Sequence, residues 1–180
     1  MRGGRRVCPN ESAVRRGLVA ATSVLALVCV SACGDAAPTG PPELRLGVDV
    51  CDRCTMAIAE PRYAAAALVD DGDGPRTLKF DDIGCLAIWE ASAPGSTVRR
   101  RWVHDRPTEA WTDASTATFS QSLELTTPMG SGIAAFKSVS DAEALVADRG
   151  GEKLTWDAIL ARAHEGTFQV NPFPRQEAAR

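Results

Sequence analysis

Histidine and methionine are scarce in this 180-residue chain, which has two of the first and three of the second. The histidines, His104 and His164, stand far apart, so no Cys/His pairing of zinc-knuckle spacing can be drawn. There is no phosphate loop, no nucleophile elbow and no Ser/His/Asp arrangement. Positive charge is also in short supply beyond the N-terminus. Residues 1–32 carry five arginines and one glutamate of the 20 basic and 23 acidic residues, so the remainder has a formal charge of −7. Nucleic acid demands a basic face, and that composition argues against it as a partner. The longest apolar run, residues 18–30, is too short to span a bilayer comfortably.

That run has a different meaning. Arg2, Arg5, Arg6, Arg15 and Arg16 precede it and small residues follow, the pattern of a secretory leader over residues 1–32. Val30-Ser31-Ala32-Cys33 resembles the lipobox of bacterial lipoproteins, with Cys33 as the lipidated first residue of the exported protein. Arg15-Arg16 also loosely resembles a twin-arginine signal. The expected location is the cell membrane, lipid-anchored and facing the extracytoplasmic side. Residues 33–43, rich in proline and glycine, read as a tether. Residues 44–165 read as one folded domain and residues 166–180 as a mobile tail. Cys8 and Cys29 leave with the leader, and lipidation of Cys33 leaves three thiols, Cys51, Cys54 and Cys85. An odd number in an exported protein argues against a purely structural disulfide framework.

The expected class is α+β. Residues 44–50 alternate partly. Residues 63–69 and 76–80 read as a hairpin across the turn 70–75. Asp81 or Asp82 caps a helix to about Ala91, Pro94-Gly95 stops it, and residues 98–103 form another strand. The order then repeats, with strands at 118–125 and 132–136 and a helix from Ser140 to about Ala147, where Ser140-Asp141-Ala142-Glu143 fits a capping box. Gly150-Gly151 ends that helix, residues 152–156 are a short strand or a lead-in, and 156–163 a final helix. Two small ββαβ units packed together follow from this order.

The chemistry lies in two sulfur-bearing clusters, Cys51-Asp52-Arg53-Cys54-Thr55-Met56 and Thr127-Pro128-Met129-Gly130. Met56 and Met129 are the only methionines beyond the initiator, and each falls in a cluster. Thiolates and thioethers are the side chains that select Cu(I) over hard cations. A C-x-x-C pair also suits half a zinc site, a redox dithiol or a plain disulfide. Glu60-Pro61 comes too soon after it for the long helix of a thioredoxin-type dithiol. Cys85 falls in the first turn of the Asp82 helix, where it is a third sulfur or a small buried residue, and the second reading is preferred. Asp81 and Asp82 read as cap and turn residues, His104 as structural or an auxiliary ligand, and Trp89, Trp102, Trp111 and Trp156 as anchors of core or edge.

These motifs, in order, carry a resemblance. Cys51-x-x-Cys54-x-Met56 after a tether, then Phe80-Asp81-Asp82-Ile83-Gly84-Cys85, then Thr127-Pro128-Met129-Gly130-Ser131-Gly132-Ile133-Ala134-Ala135-Phe136, together resemble the NosL family of nitrous oxide reductase accessory lipoproteins. The resemblance runs from about Val50 to Trp156. It implies two ββαβ units, a fold shared with organomercurial lyase, and a copper chaperone that binds Cu(I) and delivers it to nitrous oxide reductase. The family's cysteine carries over to Cys54 and its Pro-Met-Gly methionine to Met129, with Met56 and Cys51 following. One position departs from the family: Thr55 stands where glycine is usual, and a β-branched residue takes a positive φ with difficulty. The loop around Cys54 is therefore expected to be shaped differently.

The expected function is a non-catalytic, membrane-anchored Cu(I) carrier for nitrous oxide reductase or another exported cuproenzyme. The competing reading is an enzyme, a thiol–disulfide reductase acting through Cys51 and Cys54 in cuproprotein maturation.

Overall fold

The computed structural model describes residues 39–93 and 95–167. The leader, Cys33, the first part of the tether and the tail from residue 168 lie outside the described residues. No helix among the described residues is long and apolar enough to cross a membrane.

The first unit is β1 (Ala65–Asp70), β2 (Pro75–Phe80), α1 (Ile83–Ala91) and β3 (Thr97–Asp105). A short added strand, β4 (Ala110–Asp113), follows. The second unit is β5 (Thr118–Gln121), β6 (Ile133–Phe136), α2 (Val139–Arg149) and β7 (Glu152–Leu154), and α3 (Trp156–His164) closes the domain. Both units place their first strand in the middle, and they join edge to edge in one seven-stranded sheet of order β2-β1-β3-β6-β5-β7, with β4 pairing β3. The seam is parallel, at Asp105 and Ala135. There the Asp105 carboxylate accepts the backbone N–H of Lys137 and the Thr108 hydroxyl.

The alanine-rich β1 is buried on both faces, as a central strand must be. Side chains alternate across a strand. Ala65, Ala67 and Val69 therefore enter the main core with Phe80, Leu86, Phe119 and Ile159, while Ala66 and Leu68 pack against Trp102. In β6 the same alternation sends Ile133 and Ala135 to the main core, and Ala134 and Phe136 to a second cluster with Leu145 of α2.

Several local expectations are corrected. Residues 44–50, whose sequence alternates partly, hold a turn at 46–48 and end in an isolated bridge between Val50 and Ala57. β5 stops at Gln121, because Ser122 turns away and its side chain accepts from Glu124 N–H. α2 begins at Val139 with Ser138 as its cap residue and no side-chain capping bond. The Ser140 hydroxyl is instead engaged with that of Ser138, so the capping box is not made. β4 escaped the sequence reading because its four residues carry no long alternating pattern.

Candidate metal centre

Three segments converge at the end of β2. The first is the loop 51–56. Thr55 N–H donates to the Cys51 carbonyl over 2.9 Å, and Cys51 N–H donates to the Met56 carbonyl over 2.8 Å. The first bond makes one helical turn, and residues three apart on such a turn share a face. Cys51 and Cys54 therefore point the same way. Asp52 fastens the loop to β2: its N–H donates to the Lys79 carbonyl and its carboxylate accepts Lys79 N–H over 2.6 Å. Buried Asp49 adds a second tie, accepting from Lys79 Nζ over 2.7 Å and from Arg45. Thr55 has φ 62°, so it adopts the left-handed conformation that glycine favours, and its hydroxyl bonds the Cys54 carbonyl at 2.7 Å. A β-branched residue is thus held in a backbone region it adopts with difficulty, at the cost of local strain.

The second segment is Asp81, Asp82 and the start of α1. Asp82 Oδ1 accepts Gly84 N–H over 2.7 Å, the N-cap bond anticipated from sequence. Its other oxygen leaves the helix altogether, accepting the Thr127 hydroxyl over 2.7 Å and Met129 N–H over 3.0 Å. Burial pushes the Asp82 carboxyl up, against hydrogen bonds from Ser131, Thr127, Met129 and Gly84 that pull it down. The third segment is that loop, 127–132. Gly132 is required there, because at φ 67° a Cβ would lie 2.2 Å from the Ser122 carbonyl oxygen.

The convergence brings Cys51, Cys54, Cys85 and Asp81 together, with one potential ligand atom from each lying within 4.8 Å of all the others. All three thiols are free. Cys51 and Cys85 are fully enclosed and Cys54 is half-buried. Cys54 Sγ donates to Asp81 Oδ2 over 3.4 Å. Arg53, which follows from the loop, approaches Cys85 Sγ at 3.9 Å. A hydrogen bond from Cys85 brings the Cys51 thiol down to about 7 despite its burial. Burial first, and then the neighbouring Cys51 and Asp81, push Cys54 up to about 12. Cys85 is pushed up chiefly by donating to Cys51. One sulfur thus carries negative charge readily and its neighbours resist it, a conflict that a cation among them relieves.

The buried polar atoms test whether this set fits an ion. Asp81 Oδ1 is buried and has no hydrogen-bond partner among the described residues. An orphaned carboxylate oxygen beside three thiols is costly without a ligand. Three sulfurs and one oxygen make a soft, nearly enclosed donor set.

The sequence-derived candidates divide. Cys51 and Cys54 meet. Met129 is buried in the same apolar cluster as Cys51 and Cys85. Met56 sits on the outer side of the loop, 50% exposed and outside that cluster, because the left-handed Thr55 turns the chain after Cys54. Cys85 is buried, as preferred from sequence, and is also the third sulfur. Asp81 was read as a turn residue and is the fourth member. Its signal was the Phe80–Cys85 motif, whose adjacent carboxylates serve different ends. His104 lies elsewhere, stacked on Trp111 at 3.7 Å between ring centres with Nδ1 3.3 Å from the Ala64 carbonyl, and burial lowers its pKa.

A family model, NosL, matches residues 46–163 of this chain. Among solved structures, the chain is similar to the crystal structure of the copper chaperone NosL from Shewanella denitrificans. That match has a TM-score of 0.57 and 20% sequence identity, and covers 67% of this chain and 95% of that one. No curated protein matches.

Proposed function

The chain belongs to the NosL family, and on that premise we propose that it is a copper carrier, holding Cu(I) on Cys51, Cys54 and Cys85 with Asp81 beside them. The supporting observation is the meeting of three free thiols and an orphaned carboxylate oxygen within one small volume. Met129 is buried in the same hydrophobic core as Cys51 and Cys85, and on this reading its thioether adds a further soft donor. Met56, two residues past half-buried Cys54, is the most exposed sulfur of the region and suits arrival and departure of the ion.

Carriage is favoured over thiol catalysis on accessibility. A reductase needs its low-pKa sulfur open to a substrate. Here that sulfur, Cys51, is 1% exposed, while the more accessible Cys54 is the one pushed up to about 12. The client on this reading is an exported cuproenzyme, nitrous oxide reductase by the resemblance of the motifs. Lipid on Cys33 would hold the carrier at the extracytoplasmic face of the membrane.

The test is an anaerobic titration of the reduced protein with Cu(I) against a chromophoric chelator, repeated with Zn(II). A thiol-rich site also satisfies tetrahedral Zn(II). The carrier reading expects about one Cu(I) per chain held against the chelator and Zn(II) displaced by it. Failure to compete for Cu(I), or a preference for Zn(II), would sink it. Transfer of the bound ion to copper-free nitrous oxide reductase, followed by recovery of its visible spectrum, tests the client.

A further inference from the structure

Apolar side chains left in solvent are concentrated at one place. Among the described residues, six large apolar side chains are exposed, and four of them, Leu46, Val48, Val50 and Met56, fall within residues 46–56. These four are between 48% and 63% exposed. An isolated exposed leucine needs no explanation, whereas apolar side chains gathered in one patch mark a surface that meets something.

Backbone bonds gather them. Ile58 N–H donates to the Asp49 carbonyl over 2.9 Å and Cys51 N–H to the Met56 carbonyl over 2.8 Å, so Val50 faces Ala57 across a short antiparallel bridge. Asp49, Cys51 and Ile58 turn inward and are buried, which sends Val48 and Val50 outward, with exposed Ala57 beside them. Gly47 N–H donates to the Ile58 carbonyl over 2.8 Å and draws the turn that holds Leu46 onto the same ridge. Met56 closes the ridge, two residues past Cys54. Two cations flank it. Arg45, although paired with buried Asp49, keeps 63% of its side-chain surface in solvent, and Arg53 is exposed.

Two observations select a lipid surface as the occupant. The first is chain length. Leu46 follows Cys33 by thirteen positions, which extend to at most about 45 Å. With lipid on Cys33, the ridge stays near the bilayer at an effective concentration on the order of millimolar. The second is composition. Protein interfaces are anchored chiefly by Trp, Tyr and Arg, with Leu and Val under-represented, and residues 44–58 contain no aromatic side chain. Aliphatic side chains with arginines at their edge suit the boundary between acyl chains and phosphate headgroups.

A single myristoyl chain binds membranes with a constant of about 10⁴ M⁻¹, and four half-exposed side chains bury less apolar surface, so about 10³ M⁻¹ is expected. At a local concentration of about 1 mM, docked and released forms are then comparably populated. We propose that the ridge of Leu46, Val48, Val50 and Met56 docks reversibly on the lipid surface to which the chain is tethered, covering the Cys54 loop when docked and opening it when released. The proposal rests on the lipid at Cys33 and not on which ion the thiols carry.

The test uses the chain from residue 33, which contains the whole described fold, made without acylation. It is sedimented with vesicles of phosphatidylethanolamine and phosphatidylglycerol. Saturable binding is expected, half-complete near about 1 mM lipid. Val48→Asp with Val50→Asp should weaken it at least about tenfold with the circular dichroism spectrum unchanged. Val48→Asp alone, in the turn, should act in the same direction, and Leu123→Asp, fully exposed elsewhere, should have no effect. Lack of vesicle binding, binding indifferent to the ridge substitutions, or an equal loss in Leu123→Asp would overturn the proposal. So would self-association through the ridge without vesicle binding, since a second copy would then be the occupant. The mass of the protein extracted from membranes tests the lipid at Cys33 separately. An unmodified Cys33 would overturn the docking through its premise, and the vesicle result tells the two failures apart.

Discussion

Met129 N–H donates over 3.0 Å to the Asp82 carboxyl group, 47 residues earlier in the chain. One oxygen of Asp82 starts α1 and the other clasps the loop that carries Met129. The helix bearing Cys85 and the methionine loop are therefore set in place by a single buried side chain.

Replacing that side chain should loosen both. In Asp82→Ala the helix loses its cap, and the Thr127 hydroxyl and Met129 N–H lose a buried acceptor. A lost cap costs about 1 kcal/mol and each orphaned group about 1–3 kcal/mol, so a loss of roughly 3 kcal/mol or more is expected in urea unfolding. Asp82→Asn keeps one acceptor oxygen and should fall between the two.

Met129→Leu conserves volume and removes the sulfur. Stability should change by less than about 1.5 kcal/mol. Cu(I) affinity, measured by chelator competition, should fall. Unchanged affinity would make Met129 a packing residue only.

Cys54→Ser should nearly abolish Cu(I) binding, since Cys54 is the half-buried member of the cluster and, on the proposed reading, the route by which the ion would reach Cys51 and Cys85. Because Cys85 shares the cluster, Cys85→Ser should weaken binding as well. Indifference to the Cys85 substitution would reduce the site to the C-x-x-C pair and Met129. Loss on Cys85→Ser with none on Cys54→Ser would contradict the proposed route.

Thr55 offers a prediction of opposite sign. A non-glycine residue in the left-handed region carries about 1–3 kcal/mol of strain, offset on mutation by about 0.5–1 kcal/mol of extra chain entropy for glycine. Thr55→Gly should therefore stabilise the protein by about 1 kcal/mol in urea unfolding. Destabilisation would mean that the hydroxyl bond to the Cys54 carbonyl outweighs the strain.

Much of the fold was legible because its elements announce themselves locally. The Asp81-Asp82 pair before an apolar run marks a helix start, and α1 begins at Ile83 with Asp82 as its cap. The turn 70–75 marks a hairpin, and β1 and β2 pair in register across it. Gly150 ends α2 at φ 68°, as its lack of a Cβ allows. What was not legible depends on partners distant in sequence. The four residues of β4 are a strand because Trp102–Asp105 lies alongside them. Ser140 resembles a cap residue, yet the helix starts two residues earlier, with Ser138 in the cap position and Val139 the first helical residue.

The candidate site divides along the same line. The thiol pair and the Pro-Met-Gly loop stood out because soft ligands are few in this chain and fall in short motifs. That Cys85 is a third sulfur rather than only a buried residue could not be read from its neighbours. It follows from Asp52 pinning the 51–56 loop to Lys79, which sets Cys51 and Cys54 over the start of α1. Residue type and local spacing determined the donor chemistry and the order of the elements, since both arise from side chains and hydrogen bonds within a few residues. The tertiary structure decided which donors meet, that Asp81 faces the thiols while Asp82 holds the loop, and that Met56 faces solvent. Those outcomes depend on backbone contacts between segments 27 to 47 residues apart, which no local pattern encodes.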